Sequence, residues 1–291
     1  MDVVFHLGAH ATDEGRLIRA LLDNRAILEA EGVAVPRPRH ARPVLREAAR
    51  AVREAGPSAA LEQALVDELT TLDDPVRIIL DNANFLGDVN NAIGPDRFYP
   101  LAARRADTLA SLFPSHRIEF AIGIRNPATF IPAIFRAAEL GEFSHFIRGI
   151  QLDALRWSEL LERLLDTVPD AVVRVWANED TPYLWSEIVR ALAGVGPDIA
   201  LEGLDDFIAT LLTEEGFRRL QSYLDSHPPL NENQRRRIVA AFLERFPREE
   251  AVMEDIELPG WNEALVEELT ALYEEDLYTI ARMDEVLFHI P

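Results

Sequence analysis

Short apolar runs that alternate with segments of helical period are the feature that most narrows how this chain can fold. Val3-Val4-Phe5-His6-Leu7 is a β-like run that stops at Gly8. After the loop Gly8 to Thr12 comes a helical pattern with Leu17, Ile18, Leu21, Leu22 and Leu28 on one face. Thr12 or Asp13 is predicted to cap that helix, and Asp13 and Glu14 suit the positive end of its dipole. Val33-Ala34-Val35 before Pro36 predicts a second, short strand. Val76–Leu80, Arg117–Ile124 and Ala171–Trp176 predict three more. Helices are predicted between them near Pro43–Ala55, Ser58–Leu72, Tyr99–Phe113, Ala128–Leu140 and Asp153–Thr167, with another capped by Asp180 or Thr181 and running to Leu192. Pro127 places the start of the helix after Asn126, because a residue before proline is pushed out of the helical region. Strands that alternate with helices lie parallel, so the expected class is α/β, a parallel sheet flanked by helices.

Past about residue 200 the strand signal nearly vanishes, and Phe207–Leu212, Glu214–Leu224, Glu232–Phe246 and Asn262–Ala281 all read as helical. Residues 1–200 are expected to form the α/β core, and residues 201–291 a helical C-terminal region packed on it as part of one structural unit. There is no internal repeat and no low-complexity linker.

Composition removes several classes of function. The chain has no cysteine, so disulfides, thiolate metal sites and thiol nucleophiles are excluded. Its net charge of −21 argues against nucleic acid as a partner, which needs a basic surface to displace counterions. All 29 basic residues are arginine, so no lysine-dependent phosphate chemistry can arise within the chain. Apolar runs such as Val76–Leu80 are far too short to span a bilayer, and the N-terminus does not read as a signal peptide. A soluble, cytoplasmic protein without a membrane partner is expected. Its acidic surface and helical C-terminal region are the expected contacts for a protein partner.

The strongest local candidate is the first strand–loop–helix. A loop entering a helix N-terminus presents free N–H groups and partial positive charge, a site suited to phosphate or sulfate. Arg16 and Arg19 lie in the following helix, and both are expected to face solvent. Asp81 and His10 are candidate general bases. His6 and His10, with Asp13 or Asp81, lack the spacing of metal ligands, and no metal is expected. Arg235-Arg236-Arg237 is expected to pair with nearby carboxylates such as Glu232 or Glu244. Glu179-Asp180-Thr181-Pro182 starts a helix after a strand and is expected to border any ligand crevice.

His6-Leu7-Gly8-Ala9-His10-Ala11-Thr12 resembles the start of bacterial members of the PAPS-dependent sulfotransferase family, in which such a loop cradles the 5′-phosphosulfate of 3′-phosphoadenosine 5′-phosphosulfate (PAPS). Asn24, and Gly32-Val33 leading to Pro36, resemble the stretch that follows. Arg125-Asn126-Pro127 is similar to the family's second signature, where an arginine and a later serine hold the 3′-phosphate. The resemblance covers about the first two-thirds of the chain. It implies a P-loop-like, sulfotransferase-like fold, PAPS as the cofactor, and cofactor-binding positions at Gly8, Ala9, His10, Thr12 and Arg125. The chain departs from the family at the positions that carry chemistry. The phosphate-binding lysine aligns with Ala11, the small and hydroxyl residues after Thr12 are replaced by Asp13, Glu14 and Gly15, the serine aligns with Ala133, and the acidic base position aligns with Ala83. These changes imply a divergent member without sulfuryl transfer that keeps a pocket for a small anionic nucleotide. An active enzyme using arginine in place of lysine is the alternative. A nucleotide hydrolase ranks last, because the GK[ST] ending is missing.

Overall fold

In the computed structural model, which describes residues 1–139, 141–252 and 257–291, the strands are β1 (Asp2–Gly8), β2 (Val33–Ala34), β3 (Arg77–Asp81), β4 (Arg117–Ile124), β5 (Val172–Ala177) and β6 (Val286–His289). They form one sheet in the order β2-β3-β1-β4-β5-β6, and every neighbouring pair is parallel. The protein is therefore α/β. Side chains alternate across β1: Val3, Phe5 and Leu7 enter one apolar core, Val4 another on the opposite face. Both faces of the sheet are covered, which is why its central strands read as nearly unbroken apolar runs.

The helices in the first half are α1 (Arg16–Asp23), α2 (Arg25–Ala30), α3 (Pro38–Ala55), α4 (Ala59–Leu69), α5 (Ala102–Ala110), α6 (Pro127–Ala137) and α7 (Phe143–Phe146). They are followed by α8 (Trp157–Thr167), α9 (Thr181–Ala193), α10 (Asp206–Leu211), α11 (Glu214–Ser226), α12 (Glu232–Arg245), α13 (Glu249–Val252) and α14 (Glu263–Ile280). Residues of α3, α4, α5, α6, α8 and α14 pack on the face that carries Phe5, and residues of α1, α2 and α9 on the other. None of the described helices is long and apolar enough to cross a membrane.

Three expectations are corrected. The single first helix is broken at Asn24, whose buried amide donates to the carbonyls of Ala20 (2.8 Å) and Glu202 (2.9 Å) and accepts from the Glu202 amide (2.7 Å). A side chain that satisfies backbone groups at a break replaces the missing helical bonds. The helix after Pro127 ends at Ala137, while its expected last residue, Leu140, lies outside the described residues. Strand signal does not end near residue 200: β6 joins the sheet beside β5, pairing Val286 with Val173 and His289 with Trp176.

The segment after residue 200 divides between the two faces. Leu269, Tyr273 and Ile280 of α14 join the larger core. Helices α10, α11 and α12 enclose a small cluster of Ile208, Leu212, Leu220 and Val239 on the side of α9. There Arg236 of α12 pairs with Glu187 and the Ser186 hydroxyl donates to Glu232. Arg235 pairs with Asp205, so two arginines of the run meet carboxylates, but ones brought to them by tertiary packing and not the expected Glu232 or Glu244.

One polar network lies inside the sheet. Glu119 on β4 is 1% exposed and accepts from Arg77 on β3 (3.1 Å) and Arg174 on β5 (2.6 Å), while Arg77 also reaches Asp2 on β1 (2.8 Å). Removing one partner from a buried ion network strands the others' charge. Glu119→Gln is expected to lower unfolding stability by about 3–5 kcal/mol, read as a reduced urea midpoint at unchanged slope.

Candidate functional site at the carboxyl ends of the central strands

Chain order reverses across the sheet at β1, with β2 and β3 on one side and β4 and β5 on the other. In a parallel sheet such a switch point opens a crevice at the carboxyl ends of the strands. The loops that meet there are Gly8–Gly15 after β1, Asn82–Phe85 after β3, Arg125-Asn126 after β4 and Asn178–Asp180 after β5. The two family-like segments thus lie on adjacent strands.

Gly8 has φ +99°, and a Cβ there would come within 3.2 Å of the His10 amide nitrogen and 3.4 Å of Ala83. A glycine is needed for the loop to turn against the β3 loop. Beyond it several of the loop's polar groups are engaged. The Ala9 amide donates to the Gly123 carbonyl (3.0 Å), the His10 amide to the Tyr99 hydroxyl (3.0 Å), and the Thr12 hydroxyl to the Ala9 carbonyl (2.6 Å). At the start of α1, the Arg16 amide donates to the Asp13 carbonyl (2.9 Å) and the Leu17 amide to the Asp13 carboxylate (3.0 Å). The expected cap at Asp13 is therefore made by its side chain, although the residue directly before the helix is Gly15.

Arg125 is 8% exposed and crosses from β4 to this loop, donating to the Ala11 carbonyl (2.6 Å) and to the Thr129 hydroxyl (2.9 Å). Ala11 has φ +54°, a left-handed conformation costing a non-glycine residue about 1–2 kcal/mol. A bond from a charged donor is worth about 1.5–3 kcal/mol, enough to hold it. The hydroxyl beside Arg125 comes from Thr129, one turn before Ala133. At the β4–α6 turn the Asn126 amide donates to the Glu179 carboxylate (2.8 Å), and Tyr273 of α14 donates to the other Glu179 oxygen (3.0 Å). Glu179 does border the crevice, and its carboxylate takes the amide at the start of α6.

His10 is held on both sides. Its ring stacks on Tyr99 with centroids 5.8 Å apart, Nδ1 lies 2.8 Å from the Tyr99 hydroxyl, and Nε2 lies 2.9 Å from Asn84 Oδ1. Asn84 Oδ1 is an acceptor only, so Nε2 carries the proton and Nδ1 accepts from the tyrosine. Burial lowers the His10 pKa, outweighing the hydrogen bond to Asn84 and the charge of Asp88. A neutral imidazole with both nitrogens occupied is not a free base. Asp81, the other candidate, is bound by His6 Nδ1 (2.8 Å) and Arg42 (3.2 Å). Arg16 pairs with Glu14 (3.1 Å) and lies over the Phe207 ring, whereas Arg19 is exposed. Among the described residues no group of three or more His, Asp or Glu side chains is arranged to hold a metal ion.

Tested against a phosphosulfate, these residues do not fit. A bound 5′-phosphosulfate would need loop and helix N–H groups and an unopposed cation. Here the Ala9, His10 and Leu17 N–H groups are taken by the Gly123 carbonyl, Tyr99 and Asp13, and two carboxylates, Asp13 and Glu14, stand at the same helix end. Tyr99, which organises His10, and Thr129 were missed in the sequence; the proximity of residue 99 to the loop has no local signal.

Comparison with known proteins leaves the family open. No family model matches the chain, and no curated protein matches it. Among solved structures, a sulfotransferase from Alicyclobacillus acidocaldarius aligns with 87% of this chain and 96% of its own, at 15% identity and a TM-score of 0.39.

His6 sits beneath the loop, 2% exposed, and its ring stacks on Trp176 with centroids 6.0 Å apart. Burial alone would lower its pKa, but the Asp81 hydrogen bond and the charges of Asp13 and Asp81 together raise it above the ordinary 6.5. A raised folded-state pKa contributes stability that is complete below the unfolded value and is lost as pH rises through the folded one. The stability advantage of the wild type over Asp81→Asn is therefore expected to be larger near pH 6 than at alkaline pH, read as the difference between their urea midpoints.

Proposed function

We propose that this chain is a sulfotransferase-like protein that does not transfer sulfuryl groups and works by binding. One observation carries the reading: the Asp13 carboxylate accepts the Leu17 amide at the start of α1, at the helix end where a phosphosulfate would be bound. The carboxylate is covalently part of the loop and pays no association entropy, so it outcompetes a dissolved anion for the same donor. Ala11 cannot stabilise charge on a leaving oxygen as a cation would. Arg125, the residue expected to hold the 3′-phosphate, instead reaches the Ala11 carbonyl. The sulfotransferase-like ancestry rests on the two segments Gly8–Thr12 and Arg125-Asn126-Pro127, which the strand order brings side by side.

A nucleotide phosphate held by the Leu17 amide and the Arg125 guanidinium would require Asp13 to leave Leu17 and Arg125 to leave Ala11, and it would meet the Asp13 and Glu14 carboxylates at the same helix end. Calorimetry with adenosine 3′,5′-bisphosphate is therefore expected to show no binding up to millimolar ligand, and a panel of hydroxyl and amine acceptors with PAPS no sulfuryl transfer. Micromolar binding abolished by Arg125→Ala, or transfer to any acceptor, would overturn the proposal.

A further inference from the structure

A second concave site lies beside the loop and carries the opposite charge from the rest of the molecule. Helices α3 and α5 and the segment after β3 enclose a cleft of about 720 Å³, a size that accommodates a ligand of nucleotide or disaccharide dimensions. On α3, Arg42, Arg46 and Arg53 recur at helical spacing along the stripe facing the cleft, and α5 contributes Arg104 and Arg105 from the facing wall. Leu45, Phe85 and Leu109 provide an apolar floor, and Asn82 and Asn84 supply amides. Asn84 is the residue that holds His10, so the cleft opens next to the loop.

What sets these arginines apart is that they are gathered around one concavity. In a chain with 50 acidic and 29 basic residues, several arginines on the helix surfaces meet carboxylates: Arg25 meets Glu29, Arg163 meets Glu159 and Arg219 meets Glu215. On α3 itself, Arg50 lies outside the cleft and pairs with Glu47. Among the described residues, no carboxylate forms an ion pair with Arg46, Arg53, Arg104 or Arg105; only Arg42 is paired, with Asp81. The acidic residue lining the cleft, Asp88, directs its carboxylate to its own turn, accepting from the Asn90 amide (3.0 Å) and the Asn91 side chain (3.1 Å). Four unpaired guanidinium groups around one concavity repel one another, and each presents a planar fork of donors suited to phosphate or sulfate oxygens.

We infer that the α3–α5 cleft binds a small organic polyanion bearing at least two phosphate or sulfate groups, its body lying on the Leu45–Phe85–Leu109 floor and its charged groups shared between Arg46 and Arg53 on one wall and Arg104 and Arg105 on the other. This site uses none of the loop's donors. It stands whether or not the loop binds nucleotide.

Calorimetry at physiological ionic strength tests it with three probes: inorganic tripolyphosphate, fructose 1,6-bisphosphate and a bis-sulfated monosaccharide. At least one is expected to bind with submillimolar affinity, and the better of the two organic probes assigns phosphate or sulfate as the preferred group. Arg46→Gln and Arg105→Gln are each expected to weaken that binding about tenfold or more, the loss of one charge-assisted hydrogen-bonded contact. Arg50→Gln, on the same helix but outside the cleft, is expected to leave it unchanged. These residues are exposed, so the substitutions are tolerated by the fold, which circular dichroism checks. Absence of binding by all three probes, or equal weakening by Arg50→Gln and Arg46→Gln, would overturn the inference.

Discussion

The bond from the Arg125 guanidinium to the Ala11 carbonyl joins the ends of two neighbouring central strands, and the crevice takes its character from it. Where parallel strands stop, their backbone groups emerge from the ladder and must find partners. In a ligand-binding crevice some of those partners come from the ligand. Here they come from the chain: Ala11 accepts from Arg125, Asp13 caps α1, and Glu179 caps the turn after β4. Each is a short-range bond between groups already tethered, so it forms without the entropy loss that a dissolved anion would incur. The crevice is thus lined by the chain's own carboxylates at the helix start and at the turn after β4.

The neighbouring cleft follows the opposite logic. Its arginines lie on the solvent side of α3 and α5, where nothing in the packing requires a charge, and among the described residues Arg46, Arg53, Arg104 and Arg105 have no carboxylate partner. At physiological salt, electrostatic influence fades over about 8 Å, so a local positive surface survives on a molecule of strongly negative net charge. His10 and Asn84 lie between the two regions. Their hydrogen bond, with the stacked Tyr99 behind it, sets the wall that separates the self-occupied loop from the open cleft.

The legibility of the fold tracked burial. The strands β1, β3, β4 and β5 are buried on both faces and stand out as apolar runs, and the expected limits of β4 match those observed. Strand β6 is four residues long, lies at the sheet edge and leaves Leu287 nearly half exposed, so it lacks both length and apolar continuity. The break at Asn24 was hidden because its partner, Glu202, is distant in sequence. In the crevice, Gly8 and Arg125 were visible as types of residue in a pattern. Tyr99, Thr129 and the cleft arginines were not, since hydrogen bonding and facing helices are properties of three-dimensional neighbours.

By itself the sequence determined the layered class of the fold and where its strand–loop turns lie, because apolar period and turn chemistry act over a few residues. It also determined that no lysine stands in the loop. What the Ala11 carbonyl meets was decided by tertiary structure. The reason is physical: Arg125 reaches Ala11 only because the strand order sets β4 beside β1, and the packing of α3 against α5 gathers arginines that are more than fifty residues apart in the chain into one cleft.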